Sequence, residues 1–292
     1  MVKEIKLKNF KISENDYPFI IAEIGNNHNG EMKIAKRLID EAYKCGASAV
    51  KFQTKDIETA FPQELLNSNY ENPNSFGKTY REHKQFLELS FTQLKELKDY
   101  AEKKNLVFFS TPFDIKSLDN LVKLDLEILK ISSFHVTDLK LVDAVAKLNI
   151  PVIVSTGMST IKEIDEVVKI LEKYNCQYLI MHCVSSYPAK PEDLNLSAIT
   201  TLREKYGCLV GYSGHESSAN IAPSTVLYNA CAIERHFTLD RTMKGPDHVL
   251  SLEPSGMDIL VKRANLLFVA KGTGEKIVQD SELKARKKFR GY

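Results

Sequence analysis

Residues Phe19–Gly25 read FIIAEIG, an apolar climb that ends on a glutamate, one further isoleucine and a glycine. The same event recurs in Ala49–Gln53 (AVKFQ), Val107–Phe113 (VFFSTPF), Ile128–Ser133 (ILKISS), Pro151–Gly157 (PVIVSTG), Tyr178–Val184 (YLIMHCV), Leu209–His215 (LVGYSGH) and Ala232–Phe237 (AIERHF). Each run passes through β-branched and aromatic residues and then reaches a charged, hydroxyl or imidazole side chain. Apolar runs that do not alternate are strands buried on both faces. Helical periodicity fills most of the intervals, the pattern of βα units around a parallel sheet. Eight such units close into an α/β (β/α)8 TIM barrel, whose chemistry lies at the carboxyl ends of the strands. Those ends carry Glu23, Lys51, Gln53, Thr111, Lys130, Ser133, Ser155, His182, His215 and His236, so polar groups are expected to converge on one pocket.

The chain has 292 residues, 43% of them apolar, with a net charge of +2. One barrel takes ~250 residues, which predicts an N-terminal β-hairpin over residues 1–17, a catalytic barrel over 18–272 and a basic tail over 273–292, extended or a short docked helix. The even charge balance argues against nucleic acid or a membrane surface as partner. No apolar stretch approaches the ~20 residues of a membrane span. The five cysteines, odd in number and without a CxxC pair, read as free thiols of a cytoplasmic protein.

Helical spacing predicts helices over Glu31–Cys45, Phe91–Lys104, Asp138–Leu148, Thr160–Tyr174, Leu196–Tyr206, Ser217–Cys231 and Pro254–Lys271. Between Gln53 and Val107 the chain is too long for a plain crossover. Its polar part, Asp56–Ser90, has two open readings: a functional lid or a surface insertion.

His215 and His236 end neighbouring strands. Imidazole nitrogens suit Mn, Fe, Co, Ni, Cu or Zn better than Mg or Ca, and two protein ligands leave positions open for water and substrate. Lys51 and Lys130 lie near the barrel axis, where like charges need an anion; with the hydroxyls of Thr111, Ser133, Ser155, Ser185 and Ser213 they make an anion cradle. Separate salt bridges, such as Lys51 to Glu23, are the structural alternative. Glu23, beside two ammonium groups, is expected to be ionised. His182 reads equally as packed or functional. Asn26–Gly30 either contacts a polyol or caps the following helix. His83 and His248 read as surface residues. A cradle beside a metal suits a phosphorylated enol and a metal-bound carbonyl, and so carbon–carbon bond formation. A Schiff-base aldolase built on Lys130 or Lys51, and a catalytically silent sugar-binding barrel, are the competing readings.

The motifs IAEIGNNHNG, AVKFQT, FFSTPFD, LKISSF, VIVSTGMST, HCVSSYP, GYSGHE, AIERHFTLDR and KGPDHVLSLEP run in unbroken order from roughly Phe19 to Met257. Together they resemble the sialic acid synthase (N-acylneuraminate synthase) family. The resemblance implies a (β/α)8 barrel, usually a homodimer, that condenses phosphoenolpyruvate with an N-acetylated hexosamine such as N-acetylmannosamine. The products are a nonulosonic acid and phosphate, and the reaction uses a divalent metal, Mn²⁺ or Mg²⁺. It places metal at His215 and His236. Phosphoenolpyruvate falls to Lys51, Thr111, Lys130, Ser133, Ser155, Ser185 and Ser213; the sugar or reacting water falls to Glu23, Gln53, Tyr187, Glu234 and Asp247. Three departures accompany it. No C-terminal antifreeze-like domain follows within this chain, which reads as a short form. His135 stands where the family usually has an acidic residue, and Gly214 replaces the common aspartate before the histidine.

Overall fold

The computed structural model describes residues 4–292. A hairpin of β1 (Glu4–Lys6) and β2 (Lys11–Ser13) precedes eight parallel strands: β3 (Phe19–Gly25), β4 (Ala49–Thr54), β5 (Val107–Pro112), β6 (Leu129–Ile131), β7 (Val152–Ser155), β8 (Tyr178–Cys183), β9 (Leu209–Gly214) and β10 (Ala232–His236). Their order is β5-β4-β3-β10-β9-β8-β7-β6, and β6 lies beside β5, so the ring is nearly closed. All eight apolar runs therefore form the barrel as expected. The run at Ile128–Ser133 yields a shorter strand, because Ser133–His135 turns into a single 3-10 turn.

Strand alternation sorts the side chains into two cores. Outward residues such as Ile20, Val50, Phe52, Phe108, Val154, Ile180, Val210 and Ile233 meet the apolar faces of the helices. Inward residues such as Phe19, Ile21, Val107, Phe109, Ile153, Leu179, Met181 and Leu209 fill the lower barrel. The hairpin adds Ile5 and Ile12 to that inner cluster, so it plugs the amino-terminal end. Inward positions turn polar only above this plug, which is why one mouth carries the chemistry.

The helices are α1 (Met32–Lys44), α2 (Ile57–Ala60), α3 (Gln63–Leu66), α4 (Tyr80–Leu87), α5 (Phe91–Glu102), α6 (Ile115–Val122), α7 (Leu139–Lys147), α8 (Ile161–Lys173), α9 (Ala198–Tyr206), α10 (Pro254–Lys271) and α11 (Asp280–Arg290). Two expectations change. Ser217–Cys231 forms only a 3-10 segment, Ala222–Tyr228. Pro223 removes one amide donor, and the hydroxyls of Ser224 and Thr225 bond back to the carbonyls of Ile221 and Ala222, which favours the tighter winding. The tail does form a helix, α11, but none of its residues is buried.

The Asp56–Ser90 stretch is built. It contains α2, α3 and α4, the last started by a capping box between Thr79 and Glu82. His83, expected at the surface, is fully buried there, stacked on Phe76 and beside Tyr70, and its Nδ1 accepts the Phe76 amide. His248, also expected at the surface, is buried between the Thr238 hydroxyl and the Asn29 side-chain oxygen. Both hold loops together because their rings satisfy polar partners inside apolar surroundings.

Because Ile5 is a fully buried plug residue, Ile5→Ala should cost about 2–5 kcal/mol, read as a lower midpoint in urea. Far-UV circular dichroism should stay that of the parent fold.

Candidate active site

The mouth is a cavity of about 530 Å³ lined by residues from all eight strands and from the insertion. Every inward position at the strand tops contributes: Glu23 from β3; Lys51 and Gln53 from β4; Thr111 from β5; Lys130 from β6; Ser155 from β7; Cys183 from β8; Ser213 from β9 and His215 just past it; Glu234 and His236 from β10. Register puts them at matching heights, with Glu23 opposite Lys51, Gln53 opposite Thr111, and Ser213 opposite Glu234.

Glu234 is the hub. Its Oε2 accepts from Lys130 Nζ at 2.7 Å, and its Oε1 lies 3.3 Å from Lys51 Nζ and accepts from Ser213 Oγ at 3.2 Å. Lys51 reaches further, to Glu23 Oε2 at 3.2 Å and Thr111 Oγ1 at 3.2 Å. The anion expected between the lysines is thus a protein carboxylate, and the Lys51–Glu23 salt bridge foreseen as the alternative is present. Burial alone would raise the Glu234 pKa; the ammonium groups of Lys130 and Lys51 overcome that and hold it at about 2. For Glu23 the balance falls the other way. Burial pushes its pKa up, and the neighbouring Glu234 charge adds to the push against the pull of Lys51. The two carboxylates are thus driven apart in acidity.

His215 and His236 lie side by side, ring centroids 5.5 Å apart. His215 Nδ1 donates to the Val184 carbonyl at 2.9 Å, which leaves Nε2 as its free lone pair. His236 Nδ1 is buried without a partner. Two buried nitrogens with unused lone pairs fit a divalent cation. No third His, Cys, Asp or Glu completes a ligand set among the described residues, so water and substrate oxygens would fill the remaining positions. Ser155 Oγ is likewise buried and unpartnered, and Glu23 Oε2 accepts no aligned hydrogen bond despite its Lys51 contact. Unsatisfied buried polar atoms facing one cavity are the mark of a site that waits for a ligand.

Of the remaining expected residues, Ser133 accepts the Gly157 amide at 2.9 Å at the rim. Ser185 lies close to the same turn, Tyr187 packs its ring 4.3 Å from His215, and Asp247 accepts from Asn26 Nδ2 at 3.2 Å. His182 does not join them. It lies between inward Met181 and Cys183, so alternation turns it to the helix side, where Nε2 donates to the Leu194 carbonyl at 2.7 Å and the ring lines a separate cavity. Cys183, Lys55, Lys84, Tyr80 and Phe61 line the mouth without having been singled out in the sequence. Counting by two from Lys51 reaches Lys55. Nothing local marks Lys84, which arrives on α4 through tertiary packing.

Gly214 has a steric reason. A Cβ there would lie 2.4 Å from Glu216 Oε2 and 2.6 Å from the Tyr212 ring. Glu216, behind the barrel wall, takes Arg235 Nη1 at 2.8 Å and the Tyr212 hydroxyl at 2.9 Å. Arg235 and Glu216 flank the two histidines in sequence, so this buried pair braces both. The carboxylate that the resemblance places at 214 is supplied from two residues later, in space the glycine vacates.

A model of the NeuB family matches residues 38–276. The chain belongs to the NeuB family. It is 43% identical to an uncharacterised protein of Methanocaldococcus jannaschii over 96% of this chain and 80% of that one. It is 36% identical to the N-acetylneuraminate-9-phosphate synthase of Homo sapiens over 93% of this chain and 76% of that one. The crystal structure of N-acetylneuraminic acid (sialic acid) synthetase from Leptospira borgpetersenii superposes with a TM-score of 0.86 at 36% identity, covering 99% of this chain and 98% of that one.

Two outcomes are expected of this NeuB barrel. Gly214→Asp should lose roughly 1–3 kcal/mol or more by overpacking, and Gly214→Asp with Glu216→Ala should recover most of it, both read by thermal melting. The second concerns Glu88, whose half-buried carboxyl has its pKa pushed up to about 7 by desolvation. The folded state then holds a proton that the unfolded chain releases near 4.3. This contribution is full below that value and is lost as pH rises through 7. Stability measured between pH 5 and 7 should slope downward, and Glu88→Gln should flatten that slope.

Proposed function

We propose that this NeuB-family barrel condenses phosphoenolpyruvate with an N-acetylated hexosamine, forming a nonulosonic, sialic-type acid and releasing phosphate. The observation that carries the reading is the meeting, in one cavity, of two imidazoles with free lone pairs and a lysine pair bridged by Glu234. Lys51 and Lys130 Nζ meet at Glu234 with the hydroxyls of Thr111 and Ser213 beside them, so ammonium and hydroxyl donors are gathered where a phosphorylated enol would bind. In this reading Lys51, Lys130, Thr111, Ser133, Ser155, Ser185 and Ser213 hold phosphoenolpyruvate, with the unpartnered Ser155 hydroxyl as one donor. Gln53, Tyr187 and Asp247 contact the sugar.

His215 and His236 hold the divalent cation, and their nitrogens suit Mn²⁺ better than Mg²⁺. When bound, the metal polarises the sugar's carbonyl and orients it. Lys51 and Lys130 stabilise charge on the departing phosphate. Glu23 exchanges a proton with the water that adds to the former enol carbon, since its pKa is displaced upward while Gln53 Nε2 donates to its Oε1 at 2.9 Å and fixes its orientation. Glu234 keeps both ammonium groups in place. The free cysteines, all buried, support a cytoplasmic setting. The homodimer rests on the resemblance alone.

A Schiff-base aldolase needs a neutral amine. Lys51 is bound to two carboxylates, and although burial pulls its pKa down, Glu23 and Glu234 raise it overall. Lys130, which burial holds below the usual lysine range, keeps a 2.7 Å ion pair with Glu234 Oε2, and the trapping experiment addresses it directly. The test is incubation with phosphoenolpyruvate, Mn²⁺ and a panel of N-acetylated sugars. The expected outcome is stoichiometric phosphate release and a nine-carbon acid by mass, lowered about 10²-fold or more in Lys130→Met. A borohydride-stable pyruvate adduct on lysine, without phosphate release, would overturn the reading.

A further inference from the structure

Two more lysines line the mouth, and neither is neutralised. Lys55 follows β4, two inward positions above Lys51; its Nζ donates to Gln53 Oε1 at 2.9 Å and sits 4.3 Å from the centre of the Phe113 ring. Lys84 comes from α4 of the insertion, with its Nζ 5.0 Å from the Tyr80 ring centre and 5.9 Å from that of Phe61. Among the described residues, no carboxylate oxygen lies within 4.0 Å of either ammonium. Asp247 and Glu88 are the acidic groups that act on them from nearby. Glu88 spends an oxygen on the Lys55 amide at 2.9 Å, and Asp247 is tied to Asn26. Ring faces hold an ammonium by its charge without cancelling it. Lys51 and Lys130 on the floor are matched by carboxylates; Lys55 and Lys84 at the rim are not.

Buried or half-buried like charges without a counter-ion are costly. Burial, and then Lys55 itself, push the Lys84 pKa down to about 8. An arriving anion would remove that cost. In the function proposed above the sugar lies over the phosphoenolpyruvate floor against Gln53, Tyr187 and Asp247, and Gln53 Oε1 is itself 2.9 Å from Lys55 Nζ. The carbonyl end must face the floor, so the far end faces the rim.

We propose that Lys55 and Lys84 form a second anion site that receives a phosphomonoester on the end of the acceptor sugar remote from its carbonyl. The chain is thereby a synthase for a phosphorylated amino sugar. This rests on the function proposed above and narrows its acceptor. Relatives of both kinds by name, a 9-phosphate synthase and a sialic acid synthetase, match the chain at 36% identity each, so overall similarity does not decide between them. The charge at the rim does.

The test compares N-acetylmannosamine with N-acetylmannosamine 6-phosphate at saturating phosphoenolpyruvate and Mn²⁺, following phosphate release from the enol and the product mass. The phosphorylated sugar should have the higher kcat/KM by about tenfold to a hundredfold, the range of one or two charge-assisted contacts. Lys84→Met and Lys55→Met should each raise its KM about tenfold, and Lys84→Arg should keep most of the preference. Calorimetric titration with the 6-phosphate should show the same loss in variants whose melting temperatures confirm folding. Equal or better turnover of the unphosphorylated sugar overturns the second site and leaves the synthase reading intact. So does a Lys84→Met effect that falls on the KM of phosphoenolpyruvate. A folded, metal-loaded protein that neither binds nor turns over either sugar overturns both.

Discussion

One buried carboxylate sets the terms for the rest of the molecule. Glu234 lies between two almost wholly buried ammonium groups on the barrel axis; without it Lys130 would have no carboxylate within reach and Lys51 only Glu23. Removing one partner of such a cluster leaves charge uncompensated at a cost of several kcal/mol. The arrangement is available because β10 pairs in register with both β3 and β9, so that Glu234 rises on the inner face beside Ser213 with His236 two residues above it. A slip of one residue would turn that whole face outward, leaving Lys130 unmatched and Lys51 with Glu23 alone.

The same alternation explains what could be read from the chain alone. Strand existence followed from unbroken apolar runs, and most of the mouth followed from the inward positions at their ends: Glu23, Lys51, Gln53, Thr111, Lys130, Ser155, Ser213 and His215. His182 failed by the same rule, since it stands one step out of phase with Leu179 and Met181. The residues that escaped notice are those whose placement depends on distant contacts. Lys84 reaches the mouth only because α4 docks across the β4 end, and the Glu216–Arg235 brace crosses between neighbouring strand ends. His83 and His248 misled because polar residues in loops look solvated until the packing around them is known.

The mouth has two electrostatic tiers. On the floor, cations and carboxylates are interlocked, and acidity is divided unequally between Glu23 and Glu234. That division is the usual way one site holds both a proton donor or acceptor and a permanent charge. At the rim, Lys55 and Lys84 are held by aromatic faces and by amides. The floor belongs to the barrel strands and the rim largely to the segment between β4 and β5.

That segment also carries apolar packing of its own. Ile57, Leu66 and Leu87 are buried yet belong to neither of the two barrel cores. Its apolar packing is thus partly separate from that of the barrel, although Leu89 joins the outer core and Glu88 holds the Lys55 amide. An enzyme assembled this way can try out new partners for its reaction by editing a replaceable collar while the machinery inside is inherited unchanged.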